Sequence, residues 1–206
     1  MTGQITITRF DAGQLESRLG DFGAMLHACV HDGASIGFID PFGMDEAVAF
    51  WRDMVLPAMR GGKRDLFVAL SGPEAEVEAE AEAEAGAVAG TGAGAGVGAG
   101  HAIVGTVQLD YATMPNQAHR AEVCKLMVHP DCRRMGIAKE LMQALEKRAD
   151  VLGKTLLTLD TRTGDNAEPL YASLGFATVG VIPAYARDPF SEKLSGTTIM
   201  YKMTGR

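Results

Sequence analysis

The sequence predicts an α/β (α+β) fold in which helices flank a central mixed sheet. Three observations support this fold: two segments with helical spacing near the N-terminus, an apolar hairpin, and strands alternating with helices before a final run of consecutive strands. Such a mixture is typical of one sheet with helices packed on it. A chain of 206 residues has the length of one domain.

The first elements are a strand and two helices. Residues 5–8 alternate apolar and polar side chains, as a half-buried strand does. Apolar residues then recur at helical spacing in two groups: Leu15, Leu19, Phe22, Leu26 and Val30, and then Met44, Val48, Trp51 and Val55. Each group predicts a helix with one apolar face.

The hairpin and the second half of the chain supply the other elements. Residues 66–70 and 102–109 are predicted to be the two strands of the hairpin. From there on, the predicted order is strand, strand, helix, strand, helix, strand, strand, at about 102–112, 119–128, 134–152, 155–160, 166–174, 176–182 and 196–203. Gly153 and Gly175 follow the two helices, where a left-handed residue is common.

Residues 73–100 form a low-complexity insertion within a single domain of residues 1–206. Alanine alternates first with glutamate and then with glycine, so the segment has little apolar bulk to bury. From Gly90 onward the glycines fall at every second position, which excludes the GxGxxG spacing of a dinucleotide-binding loop. We expect a flexible loop at the hairpin tip, because closure entropy grows slowly with loop length.

The charge distribution argues against nucleic acid as a partner. The formal net charge is −7, but six glutamates belong to the insertion, and the remainder carries 20 acidic and 19 basic residues. A nucleic-acid binder needs a basic face for phosphate contacts. The chain has no apolar run of membrane-spanning length and no features of a signal peptide at its N-terminus, so the expectation is a cytoplasmic protein with reduced cysteines.

The most informative stretch for chemistry is residues 126–139. An apolar strand ends at Val128, Pro130 prevents its continuation, and a basic turn containing Gly136 leads into a helix. The free N–H groups and the dipole of a helix start bind anions. Because Arg133 and Arg134 add positive charge where a helix end is already positive, an anionic ligand is favoured over a bare surface loop.

The residues from Val128 to Ala138 resemble the signature V-x-P-x-x-[QR]-x-x-G-x-[GA] of the GNAT N-acetyltransferases. The resemblance implies a mostly antiparallel mixed sheet with a splayed strand pair for the cosubstrate acetyl-CoA. It also implies that the pantetheine arm pairs with the strand and that the pyrophosphate lies on the loop. The cofactor-binding residues implied in this way are Leu126, Met127, Val128, Arg133, Arg134, Met135, Gly136, Ile137, Ala138 and Lys139.

A second segment, with Asn166, Tyr171 and Gly175-Phe176, is similar to the GNAT pattern N-x-x-x-x-Y-x-x-x-G-F. The resemblance implies that Asn166 contacts the cofactor and that Tyr171 protonates the departing CoA thiolate. A phenol with a pKa near 10 is a reasonable donor to a thiolate. The alternative for Tyr171 is a helix residue that packs on the sheet.

Glu122 is the candidate general base for the attacking amine. Some family members carry a glutamate four residues before the position of Leu126. Strand periodicity places residues 122, 124, 126 and 128 on one face, so Glu122 is expected to open into the cleft and to act through a water. The alternative is a cross-strand partner for a basic residue.

A wider resemblance, outside the insertion, is to the GNAT enzymes of tabtoxin resistance, which acetylate the amino group of a β-lactam antimetabolite. It is carried by four segments: 31–38, 105–110, 159–165 and 180–186. It implies that Asp160 lies near the acceptor with Tyr171 and Glu122, and that the loop with Ser35 and Phe38 forms the acceptor wall. Asp110 and Asp160 suit an ammonium ion, but they could equally be strand-end caps.

The predicted function is therefore transfer of an acetyl group to the primary amine of a small, amino-acid-like toxin or antibiotic, without a metal, by a monomer or homodimer. Peptide N-termini and polyamines are alternative acceptors, and a non-catalytic acyl-CoA-binding domain is an alternative class. Residues 33–37 also match the GxSxG of serine hydrolases, but a nucleophile elbow needs a strand before Ser35 and a helix directly after it.

Overall fold

A computed structural model describes residues 4–72 and 101–205. The strands are β1 Gln4–Phe10, β2 Arg64–Gly72, β3 Ala102–Tyr111, β4 Arg120–Val128, β5 Leu156–Arg162, β6 Ala177–Arg187 and β7 Leu194–Met203. The helices are α1 Ala12–Ser17, α2 Leu19–His31, α3 Met44–Ala49, α4 Leu56–Arg60, α5 Ile137–Val151 and α6 Ala167–Ser173. The predicted flexible insertion, residues 73–100, lies outside the described residues.

The seven described strands form one sheet in the order β1-β2-β3-β4-β5-β7-β6. Five of the six neighbouring pairs are antiparallel. The exception is β4 with β5, which run parallel. The sheet is thus mixed and mostly antiparallel, as predicted.

The parallel pair β4 and β5 separates after a short contact. Pairing covers only Arg120 to Glu122 against Leu156 to Thr158, although both strands continue beyond it. From Val123 to Val128, β4 therefore has no partner on its β5 side. This divergence is the expected splayed strand pair, and it opens a cleft near the middle of the sheet.

Helices cover both faces of the sheet. Apolar side chains of α2 and of the segment around Trp51 pack with Leu66, Val68 and Met127 on one face. Leu141 and Leu145 of α5, together with residues of α6, pack on the other face. The two clusters hold the cleft between rigid layers.

Helix α5 approaches the sheet closely at Gly105 of β3. A Cβ atom there would lie 3.1 Å from side-chain atoms of Ile137 and Leu141 and from the carbonyl oxygen of Met127. Real Cβ contacts are seldom this short, so glycine allows the first turn of α5 to rest on the strands. This contact places the start of α5 beside the end of β4.

The two N-terminal helical segments are less regular than their apolar spacing predicts. Arg18 leaves the helical conformation and separates α1 from α2. In the second segment, residues 50–55 form a π-helical turn that leads into α4. Pro57 has no N–H to donate, and its ring crowds the carbonyl of Asp53, which explains the wider turn before it.

A β-bulge in β4 overturns one prediction from strand periodicity. Cys124 pairs with Gln108, but Met127 pairs with Thr106, so β4 contains one extra residue between these pairs. Lys125 within the bulge has a left-handed φ of 51°. Beyond it, Met127 shares the face of Glu122 and Cys124, while Leu126 and Val128 pack with the α5 cluster on the other face.

Candidate active site

A cavity of about 380 Å³ occupies the cleft between the splayed strands. It brings together four residues that the sequence predicted for catalysis or acceptor binding: Ser35, Glu122, Asp160 and Tyr171. These come from the α2–α3 loop, β4, β5 and α6, so four separate elements build one site. Glu122 and Asp160 lie on the strands, and Ser35 and Tyr171 lie on the elements that flank the sheet.

Glu122 and Asp160 lie on the same face of the diverging strands. Glu122 pairs with Thr158, and Asp160 is two residues farther along β5 on that face. The Thr197 hydroxyl donates to the Asp160 carboxylate at 3.0 Å. Partial burial raises the pKa of Glu122, and the charges of Asp160 and Asp110 raise it further. A carboxyl group tuned in this direction is suited to accept a proton near neutral pH.

Tyr171 lies on α6 and reaches the cavity from the α5 face of the sheet. Its side chain is only 6% exposed, and its ring packs edge-on against Phe176 at 5.9 Å between centroids. Burial raises the pKa of the phenol well above its usual value, and nearby carboxylates, led by Asp160, add to this. The hydroxyl is thereby kept in its neutral, proton-donating form. Its packing also fits the alternative of a sheet-packing residue.

The loop before α5 has the backbone of an anion site. Arg134 and Gly136 are left-handed, with φ of 62° and 85°. No side chain of a described residue caps α5, and a Cβ at Gly136 would meet no atom within 4 Å. Left-handed residues close together at an open helix start can present N–H groups to an anion. The loop therefore fits the pyrophosphate of acetyl-CoA.

The other residues predicted for the cofactor fall into two groups. Leu126, Met127 and Val128 lie on the unpaired part of β4, which leaves one edge open to an extended ligand. Around the loop, Arg134, Met135 and Lys139 are exposed, Ala138 is half-buried, and the side chain of Ile137 belongs to the core, so only its backbone faces the loop.

Arg133 makes contacts within the protein rather than facing an open site. It forms an ion pair with Asp32 at the end of α2, and its Nε donates to the Val128 carbonyl at 3.4 Å. The Cys29 thiol lies 3.7 Å from the same carbonyl. Arg133 thus ties the α5 loop to the segment that begins the acceptor wall.

Besides Met127, Val128 and the loop before α5, the predicted site residues Asp110, Phe38 and Asn166 also lie outside the lining of the cavity. Asp110 is held by the Arg64 guanidinium, whose Nε donates to it at 2.9 Å, so its carboxylate acts on Glu122 from a distance. Phe38 packs beside Phe42, with ring centroids 4.6 Å apart. Asn166 is exposed at the start of α6, and its neighbours Asp165 and Ala167 line the cavity instead.

Sequence reasoning missed Lys125, Arg162 and Tyr185, which also line the cavity. Lys125 is a charged residue within an otherwise apolar strand end, and this is the sequence feature that could have marked it as a site residue. Arg162 pairs with Asp165 at 3.2 Å and with Asp188 at 3.7 Å. Nothing local in the sequence marks these contacts.

The serine-hydrolase alternative fails on topology. Ser35 follows α2 and lies in the loop before α3. A nucleophile elbow joins a strand directly to a helix, and no such turn is present at Ser35. Ser35 lines the cleft as a polar wall residue.

Solved structures with the same fold include an enzyme from Brucella melitensis, a ribosomal-protein-alanine N-acetyltransferase (16% identity, TM-score 0.65, covering 97% of this chain and 99% of that one). A Salmonella typhimurium protein whose structure holds its cofactor acetyl-CoA is similar at 16% identity and TM-score 0.65 over 98% of this chain and 95% of that one. A GCN5-related N-acetyltransferase from Kribbella flavida is similar at 17% identity and TM-score 0.66 over 97% and 98%. At these identities the likeness concerns the fold.

The fold and the family profile show an acetyltransferase. The sequence profile of the acetyltransferase (GNAT) family matches residues 57–176, more than half of the chain. The chain belongs to this family, as the signature around Gly136 predicts.

Two further observations concern membranes and metals. The helices in the described part of the chain are all too short or too polar to cross a bilayer. Within residues 4–72 and 101–205, no three histidine, cysteine, aspartate or glutamate side chains are grouped as metal ligands would be.

Proposed function

We propose that the protein transfers the acetyl group of acetyl-CoA to the primary amine of a small, amino-acid-like molecule, such as a toxin or antibiotic of the tabtoxinine-β-lactam kind, in the cytoplasm. The observation that carries this proposal is the cleft where β4 and β5 diverge. There the strands carry an open edge and a pair of carboxylates, and the loop with left-handed Arg134 and Gly136 follows the end of β4.

The cofactor would be held by backbone groups rather than by side-chain charges. The loop from Arg133 to Lys139 would bind the pyrophosphate, and residues 126–128 would bind the pantetheine arm along their free edge. Asn166 would contact the same arm from the start of α6. A bound thioester supplies the activated acetyl group, and every other part of the reaction falls to residues of the cleft.

Glu122 and Asp160 would receive the amine, which arrives as an ammonium ion. Their carboxylates lie on one face of the cleft, where opposite charge stabilises the ion before it reacts. Glu122 would then take one proton through a water, leaving a nitrogen lone pair to attack the thioester carbon.

Transfer forms the new C–N bond and breaks the C–S bond. A backbone N–H near Met127 or Val128 would stabilise the negative charge that develops on the thioester oxygen. The nitrogen loses its second proton to solvent, Tyr171 gives its proton to the departing thiolate, and the phenolate regains one from solvent. Glu122 releases its proton to solvent, so protons and electron pairs balance with CoA and an N-acetylated product.

The first test is thermal unfolding with and without acetyl-CoA, with NADH and ATP as control ligands. Acetyl-CoA at 100 times its dissociation constant should stabilise the fold by about 2.7 kcal/mol, which is several degrees. Gly136→Asp should abolish the shift, because it places a carboxylate where the pyrophosphate binds. Gly153→Asp is the matched control, since Gly153 is also left-handed and open but lies at the far end of α5.

An amine screen then identifies the acceptor class, with CoA thiol release as the readout. The panel contains the amino acid toxin phosphinothricin, standard amino acids, spermidine and a peptide with an N-terminal alanine. Faster turnover of amino-acid-like acceptors supports the proposal. Faster turnover of spermidine or the peptide would reassign the acceptor, and binding of acetyl-CoA without turnover of any amine would indicate a non-catalytic domain.

A further inference from the structure

Lys125 is a half-buried cation that lines the cleft. Its Nζ donates to the Ile36 carbonyl at 2.7 Å and lies 5.7 Å and 5.8 Å from the ring centroids of Phe38 and Phe50. No carboxylate of the described residues comes within ion-pair distance of it. Burial lowers the pKa of its amine, which is the usual result of removing a charge from water.

This arrangement differs from that of the other cation in the cleft. Arg162 is already neutralised by Asp165 and Asp188, at 3.2 Å and 3.7 Å. Buried charges in proteins are normally paired, because an unpaired one costs its full desolvation energy. An ammonium group has three donors, and the Ile36 carbonyl takes one of them. Lys125 therefore keeps hydrogen-bonding capacity for an anion.

The local backbone keeps this ammonium accessible. Gly37 has a φ of 92°, and a Cβ on it would lie 3.5 Å from Lys125 Nζ. A larger residue at this position would cover the charge. The bulge at Lys125 also sends its side chain toward the acceptor wall, away from the alternation of the strand.

The cleft thus holds both signs of charge, and the carboxylate of Asp160 acts on the Lys125 ammonium without forming an ion pair with it. Glu122 and Asp160 provide negative charge where the amine is expected, and Lys125 provides positive charge beside Ser35 and Gly37. A molecule that carries both an ammonium and a carboxylate complements this distribution. An amine without an anionic group would leave Lys125 unpaired.

We propose that Lys125 is a specificity-determining residue that binds the carboxylate of the acceptor, so that zwitterionic amino acids are acetylated in preference to simple amines. This inference rests on the proposed acetyltransferase function. Lys125 would bind the anionic group of the acceptor, and Ser35 would be a second hydrogen-bond donor in the same wall.

The test compares matched acceptors on the full chain with saturating acetyl-CoA. The probes are leucine, methionine and glutamine, each with its carboxamide, which keeps the amine and removes the anionic charge. The wild type should prefer each acid over its amide in kcat/KM by about 10- to 100-fold, as expected for hydrogen bonds to a charged group. Lys125→Met should reduce this preference toward one, mainly through KM, and Lys125→Arg should retain part of it.

The ratio of acid to amide separates recognition from a structural role. Loss of the Ile36 contact alone would slow acids and amides equally and leave the preference intact, and that result would overturn the proposal. Lys147→Met is the matched control, since Lys147 is exposed on α5 and should change neither rate. Should the wild type turn over spermidine or a peptide but no amino acid, the Lys125 proposal fails and acetyl transfer stands. Should no amine react, the proposed function itself fails.

Discussion

Arg133 and Asp32 form an ion pair between residues 101 positions apart in the chain. The pair joins the loop before α5 to the end of α2, where the acceptor wall begins. The resemblance to the family signature implies that this arginine contacts the cofactor. Positive charge at a helix start is unfavourable unless negative charge lies nearby. Asp32 supplies part of that negative charge, and the ion pair connects the two halves of the cleft.

Glu122→Gln should lower kcat/KM by about 10²- to 10⁴-fold, because the amide cannot accept a proton. In the wild type the rate should fall as the pH drops through the raised pKa of Glu122, since only the ionised carboxylate is a base. The variant should lose this acid limb, as a pH–rate profile would show. Asp150→Asn, an exposed change on α5, should keep the profile of the wild type. An unchanged limb in Glu122→Gln would assign the base to another group.

Glu122→Gln should also gain stability relative to the wild type as the pH rises. A carboxyl group whose pKa is raised by folding binds its proton more tightly in the folded state. Its stabilising contribution is present below the unfolded pKa and is lost as the pH increases through the folded pKa. The glutamine does not titrate. The melting temperature of Glu122→Gln should therefore rise relative to that of the wild type between pH 4 and pH 8. Parallel curves would show that the cleft does not perturb Glu122.

Tyr171→Phe should lower kcat by about 10²- to 10⁴-fold if the phenol is the proton donor. Its free energy of unfolding should change by less than about 1 kcal/mol, because the hydroxyl makes no hydrogen bond to another described residue while the ring keeps its packing. Kinetics and urea unfolding on the same preparation measure both quantities. Tyr201→Phe, on the partly exposed face of β7, is the control. A variant with full activity would leave Tyr171 as a packing residue only.

Gly105→Ala should destabilise the fold by about 1–3 kcal/mol, because its methyl group would crowd Ile137, Leu141 and the Met127 carbonyl. For a chain of this length, each kcal/mol lowers the melting temperature by about 2–4 °C. Gly180→Ala in β6 meets no atom within 4 Å and should be close to neutral. Similar melting temperatures for the two variants would contradict the close approach of α5.

Asp65→Asn should cost about 1–3 kcal/mol at neutral pH, the usual range for hydrogen bonds to a charged group. Asp65 accepts from Tyr111 at 2.5 Å, Arg148 at 2.7 Å and Arg9 at 3.1 Å. Burial alone would raise the pKa of Asp65, but these donors and their charges hold it below its usual value.

The effect of Asp65→Asn should therefore shrink in acid. A depressed pKa contributes stability above the unfolded pKa of about 3.9, and this contribution is lost as the pH falls through the folded value. Urea unfolding at pH 7 and near pH 2.5 measures the difference. Asp53→Asn, which removes an exposed pair with Arg52, should have no measurable effect at either pH. A constant difference for Asp65→Asn would argue against the depressed pKa.

The sequence predicted those features that depend on local spacing. Helical and strand periodicity gave the order of most elements, and the turn between Val128 and Ile137 indicated the family. Glu122, Asp160 and Tyr171 meet in one cleft because they lie at or beside the point where two strands diverge.

Features set by one residue or by distant contacts were not predictable from spacing. The extra residue in β4 leaves no trace in hydrophobic alternation, because the residues around it, 123–128, are all apolar except Lys125 itself. Arg64 binds the carboxylate of Asp110, which therefore does not line the cleft. The two residues meet only because the register of β2 and β3 places them opposite each other. The π-helical turn before Pro57 keeps the apolar spacing of a regular helix.

The bulge at Lys125 has a consequence for how this strand can vary. A substitution within β4 does not change which face of the sheet each side chain occupies. Deletion of a single residue at the bulge would restore simple alternation, and every side chain on one half of the strand would move to the opposite face. Met127 would leave the α2 face, and Leu126 would take its place among side chains shaped for a different partner. In this part of the protein, the number of residues therefore constrains the fold more strictly than their identity does.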